Sequence, residues 1–328
     1  MTTTEKPTDK AIGDAQSDKR AGAGKNSLPS IGVLAAEGLA ALRRYKGLAI
    51  VLYGVQFVVA LMLTWAISRM LAAAFADQPM FDLAVDGDVA ALIFLITDEP
   101  FVFTSILYAI VATALGYWLL SWFLIGGLNA VLVERPDTRG EVLKQFGQGG
   151  VRTYFAYARL TLLSLIPYAV ISGVLMYGMS SAADDLRYGL TFGDVFFALM
   201  PRLLPGLLLL LLHMTAIDYA RVELSRTIGL ASRHALWRAY RTIGSDWRPV
   251  VHILGYVGFF AAISLLYVLI TNGAAMPGAA GAIGLFIIRQ CLSAIRFAGK
   301  LVCAGGQVVY ADARNHDRQP KKRLPVVQ

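Results

Sequence analysis

Long apolar stretches alternate along this chain with strongly charged connections. Residues 47–67 and 160–179 contain no charged side chain, and 250–270 contain only His252 as an ionisable group. Residues 101–133 are also uncharged and longer than one membrane crossing needs; 195–217 are interrupted by Arg202, and 279–309 carry three cations. A helix needs roughly 20 apolar residues to cross about 30 Å of hydrocarbon. The pattern predicts an all-α membrane protein, a six-transmembrane-helix bundle with spans at about 47–69, 103–129, 160–180, 195–218, 250–271 and 282–310. Residues 89–97 are apolar between acids but too short to span, and read as a short helix lying in or dipping into the outer interface.

Composition agrees with the pattern. The chain is 56% hydrophobic with a mean hydropathy of +0.57, which an ordinary soluble domain of 328 residues does not reach. The first 30 residues are rich in Thr, Lys, Asp, Gly and Ser, and lack the apolar core of a secretory signal. They read as a disordered cytoplasmic tail, with a membrane domain at 31–314 and a basic cytoplasmic tail at 315–328. The first span then serves as the insertion signal.

The cations set the orientation. Lys6, Lys10, Lys19, Arg20, Lys25, Arg43, Arg44 and Lys46 precede the first span. Arg135, Arg139, Lys144, Arg152 and Arg159 follow the second, and Arg221, Arg226, Arg233, Arg238, Arg241 and Arg248 follow the fourth. Arg314, Arg318, Lys321, Lys322 and Arg323 follow the sixth, so 24 of the 30 cations fall on one side. Residues 71–100, by contrast, hold six acids and no cation, and 271–281 hold no charge. Both termini are expected in the cytoplasm of a bacterium, across its inner membrane. The net charge of +8 is then a topology signal and an attraction to anionic lipid headgroups. Nothing supports a nucleic-acid partner, for no aromatic platform accompanies the basic tail.

Three similar units follow one another, each a short basic interfacial helix, a brief connection and a membrane hairpin. The interfacial elements are Leu42-Arg43-Arg44-Tyr45, Leu143-Lys144-Gln145-Phe146 and Leu236-Trp237-Arg238-Ala239-Tyr240-Arg241. The returning spans end on Gly126-Gly127-Leu128-Asn129, Thr215-Ala216-Ile217-Asp218 and Gly305-Gly306-Gln307, each running on to an acid near the exit. Small residues let helix backbones approach closely where hydrophobic drive is absent.

The last span carries the one unusual chemical feature. At 100° per residue, Arg289, Ser293, Arg296, Lys300, Cys303 and Gln307 fall in a wedge about 80° wide that runs about 27 Å along the axis. Ile295, Leu301 and Val302 lie on other faces. Burying a cation at membrane depth costs about 2.5–3.5 kcal/mol on insertion scales, so the stripe is expected to face protein or water. No acid lies deep in another span: Asp218 and Asp312 sit near the cytoplasmic ends, Asp194 and Asp98 near the outer ones. Two accounts stay open. An anionic ligand such as a lipid phosphate completes the charge balance at Arg289, Ser293, Arg296, Lys300 and Gln307. Alternatively, Arg289 and Lys300 snorkel to the two faces and Arg296 pairs with a carbonyl, with Tyr117 or Tyr168, or with a terminal acid.

Other features carry less. Cys291 and Cys303 are roughly 18 Å apart along one helix, too far for a mutual disulfide, and read as packing residues. His213 and His252 read as packing residues in spans rather than as a proton relay, and Pro167, Pro201 and Pro205 as sites where helices kink or end. No Walker, GxSxG, HExxH, CxxC or paired-carboxylate pattern occurs, so neither an enzyme nor a cofactor or metal site is expected.

The segments GGLNAVLVERPDTRGEVLKQF at 126–146 and DYARVELSRTIGLASRHALWRAYR at 218–241 resemble the cytoplasmic signatures of a broad class of bacterial six-span membrane proteins of unknown function. That class is similar to the membrane domain preceding the soluble part of some glycerophosphodiester phosphodiesterases. The resemblance covers roughly residues 30–315. It implies a membrane module concerned with lipids or envelope upkeep; no soluble phosphodiesterase domain is present, so that activity does not carry over. The leading expectation is a protein that binds or helps translocate an anionic (phospho)lipid. The alternative is a non-catalytic scaffold whose basic helices at 226–241 dock a soluble partner such as a transport ATPase.

Overall fold

The computed structural model describes residues 28–75, 89–182, 192–273 and 279–318. The tail expected at 1–30 lies outside them up to residue 27, as do 319–328 of the basic tail and the acids Asp77, Asp82, Asp86 and Asp88. The described residues are almost wholly helical, with no strand among them. In chain order the helices are α1 (Ile31–Arg44), α2 (Lys46–Phe75), α3 (Val89–Asp98), α4 (Pro100–Glu134), α5 (Arg139–Ser181), α6 (Phe192–Arg226), α7 (Ser232–Ser245), α8 (Arg248–Gly273) and α9 (Ala279–Arg318).

Five of these, α2, α4, α5, α6 and α8, are long and apolar enough to cross a membrane. The expected sixth, α9, is 40 residues long but does not join them by composition, because Arg289, Arg296 and Lys300 break its apolar run. The short helix expected at 89–97 is present as α3, its ten residues too few to span.

One local expectation is corrected. The interfacial segment at 143–146 is not a separate element with a connection behind it. A capping box, in which the Thr138 hydroxyl accepts from the Glu141 N–H, starts α5, and the helix runs on unbroken into the span. Separate helices occur only where the backbone turns, at Tyr45 between α1 and α2 and at the extended Asp246 between α7 and α8. Asp246 turns the chain by accepting the Arg248 N–H on its own carboxylate. Of the two readings of the prolines, a kink or an end, the end does not hold: Pro167 lies inside α5, and Pro201 and Pro205 lie inside α6.

Helices α4, α6 and α9 pack against one another, and each of α2, α5 and α8 fills a groove between two of them. Helix α2 touches α4 and α9, α5 touches α4 and α6, and α8 touches α6 and α9. The amphipathic pieces pack at one end of this ring: α1 against α9, the start of α5 against α4, and α7 against α6. Small residues make those approaches. Gly126 and Gly127 face Thr153 and Phe146, Gly149 faces Ala130, and Gly38 faces the backbone of Val302.

The core sits at this basic end. In α4 the buried residues run from Trp122 to Leu132, with none between Pro100 and Ser121. In α8 burial stops at Ile253, and in α9 it runs from Phe297 to Ala311. At the other end the helices keep large apolar side chains uncovered, among them Trp65, Phe101, Tyr108, Leu265 and Ile287. In the far half, Gly116, Gly173 and Gly284 have nothing within 4 Å of a built Cβ, whereas α5 and α6 stay in close contact there, a Cβ on Gly178 meeting the Arg202 carbonyl oxygen and one on Gly206 meeting Leu175, each at 2.5 Å.

Polar groups tie the packed end together. Tyr157 of α5, wholly buried, accepts from the Asn129 side-chain amide of α4 at 2.9 Å. Its hydroxyl faces the Arg221 carbonyl at 3.0 Å and Ser225 Oγ at 2.8 Å on α6. Tyr157→Phe is expected to destabilise the chain by about 1–3 kcal/mol, because the Asn129 amide loses its acceptor inside a packed core. A thermal melt of the purified protein in detergent reads the loss, and an unchanged melt would show the node to be solvated.

Candidate anion site

The expected stripe on α9 divides in two. Arg289, Arg296 and Lys300 are exposed and Ser293 is half-buried, whereas Cys303 and Gln307 are buried in the core. Gln307 is turned away from the exposed stretch, and its amide donates to Cys303 Sγ at 3.6 Å. The Cys303 carbonyl in turn lies 3.2 Å from His252 Nε2. Gln307 thus lies apart from the exposed cations, where the helix has entered the small-residue packing against α1. Of the residues on other faces, Leu301 is buried and Ile295 is exposed.

Arg296 and Lys300 stand one helical turn apart, near enough to feel each other's charge. The Arg296 guanidinium lies 4.8 Å from the centroid of the Phe260 ring on α8. Phe260 packs edge-on against Tyr256 at 4.9 Å, and Tyr256 crosses Gly299, where a built Cβ would come within 3.1 Å of its ring. Tyr117 of α4, its hydroxyl bonded to Gln56 of α2, also lies within electrostatic reach of Arg296. The Tyr256 hydroxyl has no hydrogen-bond partner among the described residues. An aromatic face offsets only part of a cation's desolvation, about 0.5–2 kcal/mol.

One acid, Asp218 of α6, comes near Lys300. Its carboxylate, however, is 3.0 Å from Arg221 Nη1 on its own helix. Among the described residues no carboxylate pairs with Arg289, Arg296 or Lys300. Arg296 meets neither Tyr117 nor Tyr168 in a hydrogen bond; it lies over Phe260. Asp218, Arg221, Tyr256 and Phe260 were not legible as site residues, since their only sequence signal is a pair of aromatics four apart and an acid already assigned to a helix end.

The histidines behave as packing residues. His213 is buried, with Nδ1 against the Tyr240 hydroxyl of α7 and its ring edge-on to Tyr168 at 4.6 Å. Burial, then the neighbouring Tyr168 phenol, pushes the Tyr240 hydroxyl above its ordinary range.

The segment expected to dock a partner is only partly available. Arg226 Nη2 is held by Asp312 at 2.6 Å, and the same carboxylate takes Arg135 of the α4 end at 3.0 Å. On α7, Arg233, His234, Trp237, Arg238 and Arg241 remain exposed. Leu163, Ile166, Pro167, Arg233, Leu236, Trp237 and Tyr240 line a shallow cleft of about 250 Å³ between α5 and α7.

No protein-family model, curated protein or solved structure matches this chain.

Proposed function

We propose that this chain is a non-catalytic, six-span module of a bacterial inner membrane, with both termini cytoplasmic. It binds or helps translocate an anionic (phospho)lipid or related envelope molecule at Arg289, Ser293, Arg296 and Lys300. The observation that carries the reading is the juxtaposition of Arg296 and Lys300, both exposed and neither paired with a carboxylate. A lipid phosphate supplies the missing charge, and the planar guanidinium suits its oxygens. The loosely packed far half of the bundle offers apolar surface for acyl chains.

The sixth span in this reading is α9: the Arg296 guanidinium lies over Phe260 of α8 and the Lys300 ammonium over Phe297, and an anionic ligand offsets the rest of their cost at membrane depth. A threefold repeat is part of the same proposal. It is supported by the exchange of partners around the ring, in which each interfacial helix packs on the returning span of the preceding unit and α1 closes the circle on α9. Membership of the six-span class resembled at 126–146 and 218–241 fits this reading.

Arg296→Leu combined with Lys300→Met is expected to cut copurifying anionic lipid severalfold while leaving the melting behaviour intact. Unchanged lipid content would remove the proposal. The exposed basic face of α7, with Trp237 70% exposed, favours a second reading as a scaffold for a soluble partner. Crosslinking from Arg233 and Arg238 positions distinguishes the two, since a lipid binder yields no stoichiometric protein adduct.

A further inference from the structure

We infer that the headgroup taken at Arg296 and Lys300 is dianionic, a phosphate monoester in preference to a phosphodiester. This inference rests on the anion reading above and narrows it.

The argument is a charge count over the groups that surround the two side chains. Lys300 lies within electrostatic reach of Arg296, Asp218 and Arg221. Asp218 and Arg221 form a 3.0 Å pair on one face of α6 and offset each other. Two positive charges are left over, on Arg296 and Lys300, and both are open to a ligand. The wall on the α8 side, Tyr256 and Phe260, carries no charge, and neither does Tyr117 on α4 or Gly299 between the cations.

A diester phosphate brings one negative charge and leaves half of this excess unbalanced in a low-dielectric setting. A monoester brings about 1.5–2 charges near pH 7 and three terminal oxygens. Two of those oxygens suit the planar fork of Arg296 and the third suits an ammonium; Lys300 Nζ, which lies 5.6 Å from the Phe297 ring centroid one turn along the helix, swings off that ring to meet it. Phe260 holds the guanidinium from the opposite face and leaves its donor edge free. Arg289 sits two turns further out, about 10 Å along the axis, too far to join the same headgroup.

The test uses the purified full chain in a neutral detergent. Dioctanoyl phosphatidic acid, dioctanoyl phosphatidylglycerol, dioctanoyl phosphatidylcholine and inorganic phosphate are titrated against it, with tryptophan fluorescence as the readout. The monoester lipid is expected to bind at least about tenfold tighter than the diester at pH 7.5. That preference is expected to shrink towards parity at pH 5, where the monoester loses its second charge (its second pKa is about 6). Arg296→Gln and Lys300→Gln are each expected to collapse the preference. If either variant fails to fold, the headgroup comparison on the unaltered chain decides alone. Equal affinity for the two anionic lipids at pH 7.5 would overturn the charge inference and leave the anion site standing. Binding of neither above phosphatidylcholine would sink both. Inorganic phosphate binding as tightly as the monoester lipid would keep the dianion and overturn the lipid as its source.

Discussion

Gly38→Val is expected to leave almost no folded chain in detergent, whereas Gly116→Val leaves it nearly unchanged. A Cβ built on Gly38 lies 2.2 Å from the carbonyl oxygen of Val302 and 3.0 Å from its carbonyl carbon. Neither atom is the tip of a flexible side chain, so α1 must move bodily away from α9. Across the same contact a Cβ on Gly305 would lie 3.0 Å from the Ala41 Cβ and 3.1 Å from the Gly38 Cα, so the approach is close from both helices. Overpacking a core typically costs about 1–3 kcal/mol, and backbone-on-backbone contact puts this case at or above that range. Retreat of α1 would also uncover Leu34, which is wholly buried, and withdraw Ala41 from Gly305. Gly116 has nothing within 4 Å, so a larger side chain there meets only open space. Size-exclusion profiles and melting curves of the two variants check the contrast. A Gly38→Val chain that elutes and melts like the parent would mean that α1 does not dock where the structure places it.

The second large effect is expected at Asp312. Its carboxylate bridges Arg226 at 2.6 Å and Arg135 at 3.0 Å, and so joins the ends of α6 and α4 to α9. The two arginines are not equivalent. Arg135 keeps about half its side chain in solvent, and its pair is worth well under about 1 kcal/mol. Arg226 is only 18% exposed, and its second terminal nitrogen is buried without a partner among the described residues. Removing the acid strands a mostly buried cation, which costs about 1–3 kcal/mol after allowing for its residual exposure. Asp312→Ala is therefore expected to lower stability clearly and Arg135→Ala scarcely. Because Asp312 ties three helix ends, its loss is also expected to speed maleimide labelling of the buried Cys303, with the exposed Cys291 as an internal reference. Equal melts for the two variants, or unchanged Cys303 labelling, would show that the bridge does not hold the packed end shut.

Much of the architecture is legible in the sequence, because membrane helices are specified by long one-dimensional runs. The uncharged stretches at 47–67, 101–133, 160–179 and 250–270 lie in α2, α4, α5 and α8. The small pairs at Gly126-Gly127 and Gly305-Gly306 proved to be helix-contact points. What the sequence did not show was local. Nothing in Leu143-Lys144-Gln145-Phe146 distinguishes an interfacial helix that stops from one that continues, since that depends on whether the backbone bends afterwards. Gln307 shares a helical wedge with Arg296, yet it is buried, because azimuth on one helix does not say where a neighbour begins to cover it.

The sequence by itself determined that this is a helical chain with several stretches able to cross a membrane. It also placed the cations of the last helix on one side of it, because both properties depend only on residue type and spacing along one helix. Tertiary structure decided which of those cations lack a carboxylate, that Asp218 is occupied by Arg221, and that Phe260 lies under Arg296. Charge balance and close packing depend on which helices become neighbours, and that is settled by where small residues let backbones meet.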